Sequence, residues 1–527
     1  VPNDRVVTKR VGCKMIALGP SLVTRALGIR GYGLHAHTVD QELRTLHNRH
    51  LFETPEPDMW CPEWHGFKKQ LRLLADEIGY VPIATNTQVL EGKFGRIRKR
   101  MRDGLNQYYR EGVERKQARL TEMQKLEFYE VDKLAGKEDR GIQYRTVVYN
   151  AALSRHLRNI EHRLMSCVGR NKSGLPFMAK GRSLDERAVL LLRMADGYAD
   201  PVFVNLDHAR FDAHMHHKLI VAEHSVYKRC RNWNPELLKL LSWQLKARGI
   251  SRGGIKYMAR GKRGSGDVNT GLGNSEVNAG FIFSWLEASD VAGDVLLDGD
   301  DAVIIVEKSD YDKLLPIEEY MLKLGMETVV ERVDDISGVE FCQARVVLGK
   351  NGPYFCGNPL KYLETMTLTA ETRGSESAFQ VFRSSVVGLA TQNPCCPMLK
   401  PFLKWCEANP GVAVTPQSMR YRMRTYKMEP VALVPKWEEP TMEQRLSFGK
   451  AWGISPAEQI AFEDSATVDA ILRRVRESRV RVKPESTTEN LLFDDGWVDQ
   501  GYVEDSLDLL WGNQTVEFRE YWKKQIA

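Results

Sequence analysis

The chain has 527 residues, with 75 Lys and Arg against 69 Asp and Glu, so it is long enough for several subdomains in one body and carries a net charge of only +6. No apolar run reaches the ~18 residues of a transmembrane helix, no signal peptide opens the chain, and neither G-x4-GK[ST] nor G-x-G-x-x-G after a strand occurs, so helicase and dinucleotide chemistry are unsupported. Nine cysteines show no CxxC spacing, and adjacent Cys395 and Cys396 are poor disulfide partners, a usage that suits a reducing cytosol.

Residues 1–80 read as mixed helix and loop. The first strong feature is KFGRIRKRMR at 93–102, which packs Lys93, Arg96, Arg98, Lys99, Arg100 and Arg102 into one run. Such a run lines an RNA channel by displacing counterions from phosphates, or it is a plain solvated face or a localisation signal.

Val202-Phe203-Val204-Asn205-Leu206 has the β-branched and aromatic content of a buried strand, and Asp207 sits where that strand ends. Asp212 lies past the strand, a placement that suits a ribose hydroxyl better than a metal. Histidines at 208, 214, 216 and 217 invite a zinc reading but have no cysteine partners at ligand spacing. Further on, Ser265, Gly266, Thr270 and Asn274 fit S-G-x3-T-x3-N, a flexible loop running into a helix on which 270 and 274 share a face. An amide and a hydroxyl there, together with Asp212, suit a 2′-OH, which both donates and accepts. The plain alternative is a glycine-rich surface loop entering an ordinary helix.

The segment LLDGDDAVIIV at 296–306 reads as a hairpin with carboxylates at its tip. Taken alone, Gly299-Asp300-Asp301 is as well explained by a solvated acidic turn. Beside Asp207 it gains meaning, because adjacent aspartates repel unless a cation compensates them. Carboxylates at a strand end and a hairpin tip can hold two Mg2+ ions about 3.5–4 Å apart, the clamp for an in-line phosphoryl displacement. Asp207 with Asp300, assisted by Asp301, is a sufficient set for hard cations that keep water and bind triphosphate.

The order D-x4-D, SG-x3-T-x3-N, GDD resembles motifs A, B and C of viral RNA-dependent RNA polymerases. RGIQYRTVVYNAALSRHLRNIEHRL at 140–164, GLPFMAKGRSLDE at 174–186, EHSVY at 223–227, VEFCQARVV at 339–347 and QRLSFGKAWGISPAEQ at 444–459 are similar to the replicase polymerases of tombusvirus-like plant RNA viruses, luteoviruses included. The likeness covers roughly residues 80–465.

The resemblance implies roles position by position. Asp207 and Asp300 match the metal-binding aspartates and Asp301 the neighbouring carboxylate; Asp212 and Asn274 match the pair that prefers ribonucleotides. Ser265, Gly266 and Thr270 match the loop that positions template and nucleotide. Lys137, Arg140 and Arg145 match the motif over the triphosphate, and Glu340-Phe341-Cys342-Gln343 the strand turn that supports the growing primer. One departure stands out: no basic residue lies between Gly325 and Glu331, where many relatives carry a lysine that protonates pyrophosphate. Lys323 and Arg332 flank that gap, and the general acid stays unassigned.

The implied fold is α+β, a closed right hand with an antiparallel palm sheet. Residues 1–80 form an N-terminal extension, 81–200 fingers, 201–214 palm, 215–263 a helical fingers insertion, 264–350 the rest of the palm and 351–480 the thumb, whose helices include 447–479. The acidic segment 481–527 is expected to pack or regulate. The implied activity is RNA-directed RNA polymerisation that replicates and transcribes a positive-strand genome from NTPs, with Mg2+ as cofactor and Mn2+ as its substitute. Implied partners are template and product RNA, a viral auxiliary replication protein and host factors, on membranes of the host cytoplasm. The anchor is expected from a partner or from a preceding N-terminal extension: Val1 in place of Met suggests a fragment of a longer product, which the resemblance implies to be the downstream part of a readthrough or frameshift fusion, although tag removal or processing would leave the same mark.

Two rivals are weighed. A reverse transcriptase would carry an aromatic residue where Asp298 stands and a bulky residue near 212, so Asp298, Asp212 and Asn274 speak against it. A decayed polymerase-like RNA-binding scaffold would have lost some metal or ribose position, and all are present.

Overall fold

The structure is a computed structural model that describes residues 39–125, 137–359, 378–410 and 436–465, with the short pieces 16–17, 32–33, 127, 129–130, 361–362, 368–369 and 498–499. Of its longer elements the first in chain order are α1 (Pro62–Ile78), which carries proline in its first turn, and α2 (Gly95–Glu111). β1 (Leu120–Gln124), β2 (Gly141–Tyr144), α3 (Val147–Leu164) and α4 (Leu184–Ala195) follow, the last started by a Ser183–Glu186 capping box. The stretch holding Asp207 and Asp212 forms β3 (Pro201–His208) and the one-turn α5 (Phe211–His214).

Next come α6 (His217–Cys230), α7 (Pro235–Leu245), β4 (Lys246–Ser251) and β5 (Lys256–Arg260). The segment 215–263, expected to be helical throughout, ends instead in a β-hairpin. The inward positions of β4 are Ala247, Gly249 and Ser251, too small to show as an apolar alternation. α8 (Thr270–Ala288), β6 (Gly293–Asp298), β7 (Asp301–Glu307), α9 (Ile317–Lys323), β8 (Thr328–Val333), β9 (Ala344–Gly349) and β10 (Gly352–Gly357) complete the central region. Among the described residues four helices follow: α10 (Ala378–Gln392), α11 (Lys400–Ala408), α12 (Met442–Trp452) and α13 (Pro456–Ser465). The amphipathic stretch from 447 is broken at Gly453, whose φ of +70° ends α12; its remainder, 466–479, lies outside the described residues.

The functional frame is a four-stranded antiparallel sheet in the order β8-β3-β7-β6. It is apolar on both faces. Val202, Val204, Leu206, Ile304 and Val306 pack into a core with α1, α3, α6 and α8, while Phe203, Leu296, Val303 and Ile305 pack against Leu191 and Met194 of α4. Such two-sided burial explains why the strands read as unbroken apolar runs. α8 lies in the middle of the larger core, where a Cβ on Gly280 would come within 2.9 Å of the Phe67 ring of α1. α1 is therefore integral to the main core, so residue 80 does not divide two cores.

A five-stranded sheet lies to one side, ordered Val498–Asp499, β5, β4, β1, β2. Val498–Asp499 is the described piece of the acidic segment, pairing in parallel with Tyr257–Met258; the remainder of 481–527 is outside the described residues. The β9–β10 hairpin joins two cores, giving Val346 and Phe355 to the sheet side and Val347, Tyr354 and Cys356 to a cluster with α10, α11 and α12. Among the described residues no helix is long and apolar enough to cross a membrane.

Candidate active site

The acidic residues meet because of strand register. Ala302 pairs with Leu206 and Asp301 with Asp298, so one step along the same ladder sets Asp301 beside Asp207 at the sheet's end. Gly299 and Asp300 form the two-residue turn between β6 and β7, and Gly299 takes the φ of +74° that such a turn demands. Asp207 and Asp300 are exposed, and neither carboxylate has a hydrogen-bond or ion-pair partner among the described residues. Asp301 also reaches solvent, yet desolvation by the protein around it raises its carboxyl to about 6, helped by the charges of Asp300, Asp298 and Asp207 and opposed by a hydrogen bond from Cys342. Asp298 is instead neutralised by Arg187, whose Nη2 lies 2.7 Å from its Oδ2.

This carboxylate set fits a divalent cation, since crowded like charges at a solvent-facing tip are what a cation relieves. Among the described residues no three acidic, imidazole or thiol groups converge as a ready cage for one ion. That suits Mg2+, which is commonly held by one or two carboxylates together with substrate phosphates. The histidines have separate engagements: His208 with Asn278 and Thr328, His214 with Glu327, and His216 with the Lys218 N–H.

α8 holds the acidic turn from below through residues that the sequence pattern did not single out. Asn278 Nδ2 donates to the Gly299 and Asp300 carbonyls at 3.2 and 3.1 Å, and the Gly299 N–H donates to Ser275 Oγ at 2.9 Å. Asn278 Oδ1 in turn lies 3.0 Å from His208 Nε2, and burial pushes this imidazole down to about 4. The neutral ring ties the residue next to Asp207 to the turn carrying Asp300. Asn278 lies four residues after Asn274, so a continuing Thr270, Asn274, Asn278 stripe was the available signal.

Asp212 reaches the site because Arg210 adopts a left-handed conformation, φ +45°, that reverses the chain after β3. Asn274 Nδ2 donates to Asp212 Oδ1 at 2.8 Å, joining the two predicted ribose residues. Burial raises the Asp212 pKa, as does the charge on Asp300, while the Asn274 hydrogen bond and the Arg263 charge oppose them. The Thr270 hydroxyl does not join this pair; it donates to the Gly264 carbonyl at 2.8 Å. Ser265 and Gly266 lie against β2: Ser265 Oγ donates to the Gly141 carbonyl at 2.9 Å and the Gly266 N–H to the Gln143 carbonyl at 2.8 Å. A Cβ on Gly266 would sit 2.8 Å from that Gln143 oxygen, so glycine is required for the close approach.

The basic residues separate into two groups. Arg140 is exposed, 3.5 Å from Glu127, and its charge reaches Asp212. Around it stand Arg49 and Arg210, neither picked out from the sequence; burial chiefly lowers the pKa of Arg49, and repulsion from Arg140 and Arg210 adds to this. Lys137 is exposed with its ammonium 5.8 Å from the Tyr129 ring centroid. Arg145 has gone elsewhere. Its guanidinium is 0% exposed, with Nε 2.6 Å from Asp267 Oδ1 and Nη2 3.2 Å from Oδ2, so the expected contact with a triphosphate does not fit this placement. The reason is direction: Tyr144 ends β2, and the next side chain turns inward toward the start of α3.

A family model for viral RNA-dependent RNA polymerases matches residues 34–473. The chain belongs to that family. The RNA-directed RNA polymerase of Tobacco necrosis virus (strain D) is 29% identical over 460 residues, covering 82% of this chain and 62% of that protein. That of Tomato bushy stunt virus (strain Cherry) is 30% identical over 352 residues, 62% of this chain and 40% of the relative. The polymerase of Tobacco necrosis virus (strain A) is 32% identical over 268 residues, 50% of this chain and 37% of the relative. The chain thus spans 37–62% of the length of these relatives. The resemblance read from the motifs is borne out, and the family match begins at residue 34.

The turn at 340–343 also has a clear position. Phe341 and Ala344 exchange backbone hydrogen bonds of 2.9 and 3.1 Å around a turn in which Cys342 and Gln343 both have positive φ, +52° and +59°. Two non-glycine residues in that region mark a strained turn held in place by its surroundings, next to Asp301. Neither flanking candidate for the general acid is free: Lys323 is 2.8 Å from Glu63, and Arg332 is 2.8 Å from Asp334.

Arg96, Arg98, Lys99, Arg100 and Arg102 project from the first turns of α2 and are exposed, with Lys93 half-buried just before it. No acidic residue lies in that first turn, and cations there oppose the helix dipole, an arrangement that a polyanion would relieve. Neutralising Arg96, Lys99 and Arg100 together is expected to weaken RNA binding equally across sequences. The slope of log K against log salt should become shallower by up to ~0.7 for each phosphate no longer neutralised on a single strand. A salt titration of binding checks this, and an unchanged slope would leave the run as a solvated face.

Proposed function

We propose that this chain is an RNA-directed RNA polymerase of a positive-strand RNA virus, built as a right hand. The β8-β3-β7-β6 sheet serves as palm, the five-stranded sheet with α2 and α3 as fingers, and the helices from α10 onward as thumb. The observation that carries this reading is the meeting of Asp207, Asp300 and Asp301 at one sheet end with the Asp212–Asn274 pair beside them. Family membership and the named relatives support it.

In this reading Asp207 and Asp300, assisted by Asp301, hold divalent cations, Mg2+ or Mn2+, which when bound neutralise triphosphate charge and activate the attacking hydroxyl. The chain's own residues do the rest. Asn278 and Ser275 keep the turn in register with β3, Arg140 with Arg49 and Arg210 draws in the triphosphate, and the Asp212–Asn274 pair reads the sugar. Template and product RNA, NTPs, an auxiliary viral protein and host factors are the proposed partners. Work on cytoplasmic membranes would use an anchor contributed by a partner or by sequence preceding this chain.

Labelled NTP incorporation on an RNA template with Mg2+ or Mn2+ tests the proposal. RNA-templated incorporation of NTPs over dNTPs is expected. Preference for dNTPs would favour a reverse transcriptase, and RNA binding without incorporation a scaffold.

A further inference from the structure

Asn274 is held from behind by a buried ion pair that lies outside the D-x4-D, SG-x3-T-x3-N and GDD segments. Arg263 stands just before the Ser265 loop, and Glu223 opens the EHSVY segment on α6. Their side chains are 2% and 0% exposed. Arg263 Nη1 donates to Glu223 Oε1 at 3.2 Å, and Nη2 donates to Oε2. Glu223 Oε1 also accepts the Tyr227 hydroxyl at 2.7 Å and the Asn269 amide at 2.9 Å. Burial alone would raise the Glu223 pKa, but the Arg263 charge and these donors outweigh it and keep the carboxylate ionised. α8 runs so close that a Cβ on Gly273 would lie 2.2 Å from Glu223 Oε1 and 2.6 Å from Arg263 Nη2. A buried pair of this kind adds little stability over apolar residues of the same volume, so stability alone is a weak reason for it.

The Nε donor of Arg263 has a specific use. Nε donates to Asn274 Oδ1 at 3.2 Å, while Asn274 Nδ2 donates to Asp212 Oδ1 at 2.8 Å. A guanidinium only donates and a carboxylate only accepts. Rotating the Asn274 amide by half a turn would therefore set donor against donor at Arg263 and acceptor against acceptor at Asp212. The second Nδ2–H of Asn274 and the free lone pairs of Asp212 are what a 2′-hydroxyl would need, one to donate to it and the other to accept from it.

We propose that Arg263, anchored by Glu223, is the positioning residue for sugar choice, locking the Asn274 amide in the orientation that recognises a ribose 2′-hydroxyl. The inference rests on the reading of Asp212 and Asn274 as the ribose pair. Without the lock only Asp212 opposes the flip, and an Asn274 amide that turns presents its carbonyl instead, which removes one hydrogen bond to the hydroxyl.

The test is the ratio of kcat/KM for ATP to that for 2′-deoxyATP in single-nucleotide incorporation on an RNA template. It is measured for the parent chain, Asn274→Ala, Arg263→Lys and the double variant. Arg263→Lys keeps the charge near Asp212 and removes the Nε donor. Asn274→Ala and Arg263→Lys are each expected to lower the ratio by roughly 5-fold, the factor expected for one ordinary hydrogen bond. The double variant should fall no further than Asn274→Ala, because Arg263 acts through Asn274. If Asn274→Ala lowers the ratio and Arg263→Lys does not, the inference is overturned while the ribose pair stands. If the two effects multiply in the double variant, Arg263 acts by another route and the inference is likewise overturned. If Asn274→Ala itself leaves the ratio unchanged, the ribose reading fails, and this inference with it. Should Arg263→Lys melt below the assay temperature, Glu223→Gln, which keeps the carboxylate's shape and loosens its hold on Arg263, is read by the same criteria.

Discussion

Replacing Asp300 or Asp207 with alanine is expected to lower nucleotide incorporation by ~10³-fold or more, on the order of 4 kcal/mol in activation free energy, with RNA binding nearly unchanged. The size follows from the role proposed for them, since a cation clamp with one carboxylate missing no longer holds the attacking and leaving oxygens together. The structure adds a second expectation. Both side chains are exposed at the sheet end, and their charge presses on Asp301, whose carboxyl is pushed up to about 6 chiefly by desolvation. Removing the Asp300 charge relieves that repulsion, so thermal stability should stay level or rise slightly. Turnover, melting temperature and RNA affinity measured on the same preparation check this. Retention of more than about a tenth of parental turnover by Asp300→Ala would place the chemistry elsewhere.

Arg145→Met should behave in the opposite way, losing stability rather than catalysis. The guanidinium lies fully buried beside Asp267, and its removal leaves that carboxylate in the interior without a counter-charge. Breaking a buried pair from one side costs about 3–5 kcal/mol, whereas replacing both partners with apolar residues is often neutral. The double variant Arg145→Met, Asp267→Leu is therefore expected to recover most of the stability that the single one gives up. Arg140→Ala provides the contrast: an exposed guanidinium meeting a triphosphate should raise the apparent KM for NTP with little change in melting. Denaturant unfolding of the three variants, with NTP titrations of those that fold, separates the roles. A raised KM without destabilisation in Arg145→Met would return that residue to the triphosphate.

The contrast between these neighbouring arginines marks the limit of a linear reading. Arg140 and Arg145 lie within one short basic stretch and look equivalent as sequence. What separates them is that one precedes β2 and the other follows it, so one side chain faces solvent and the other the interior. Thr270 differs from expectation for a related reason: its hydroxyl satisfies the nearby Gly264 carbonyl rather than joining the Asp212–Asn274 pair. The basic run at 93–102 is a charged face in sequence and structure alike, because exposed charges on a helix need no tertiary partner to be where they are.

The amino-acid sequence by itself determined the strand bearing Asp207, the hairpin whose tip carries Asp300, and the helix that begins at Thr270. Each is a local matter of β-branched runs, a glycine at a positive-φ turn, and an apolar helix. Only the tertiary structure decided which groups meet. The antiparallel register set Asp301 beside Asp207, the left-handed Arg210 carried Asp212 to Asn274, and Arg263 found Glu223 across 40 residues of chain. Strand and turn propensities act over a few residues and leave a readable pattern. Pairing across a core is settled by burial and by the need of each buried polar group for a partner, and neither leaves a mark at any single position.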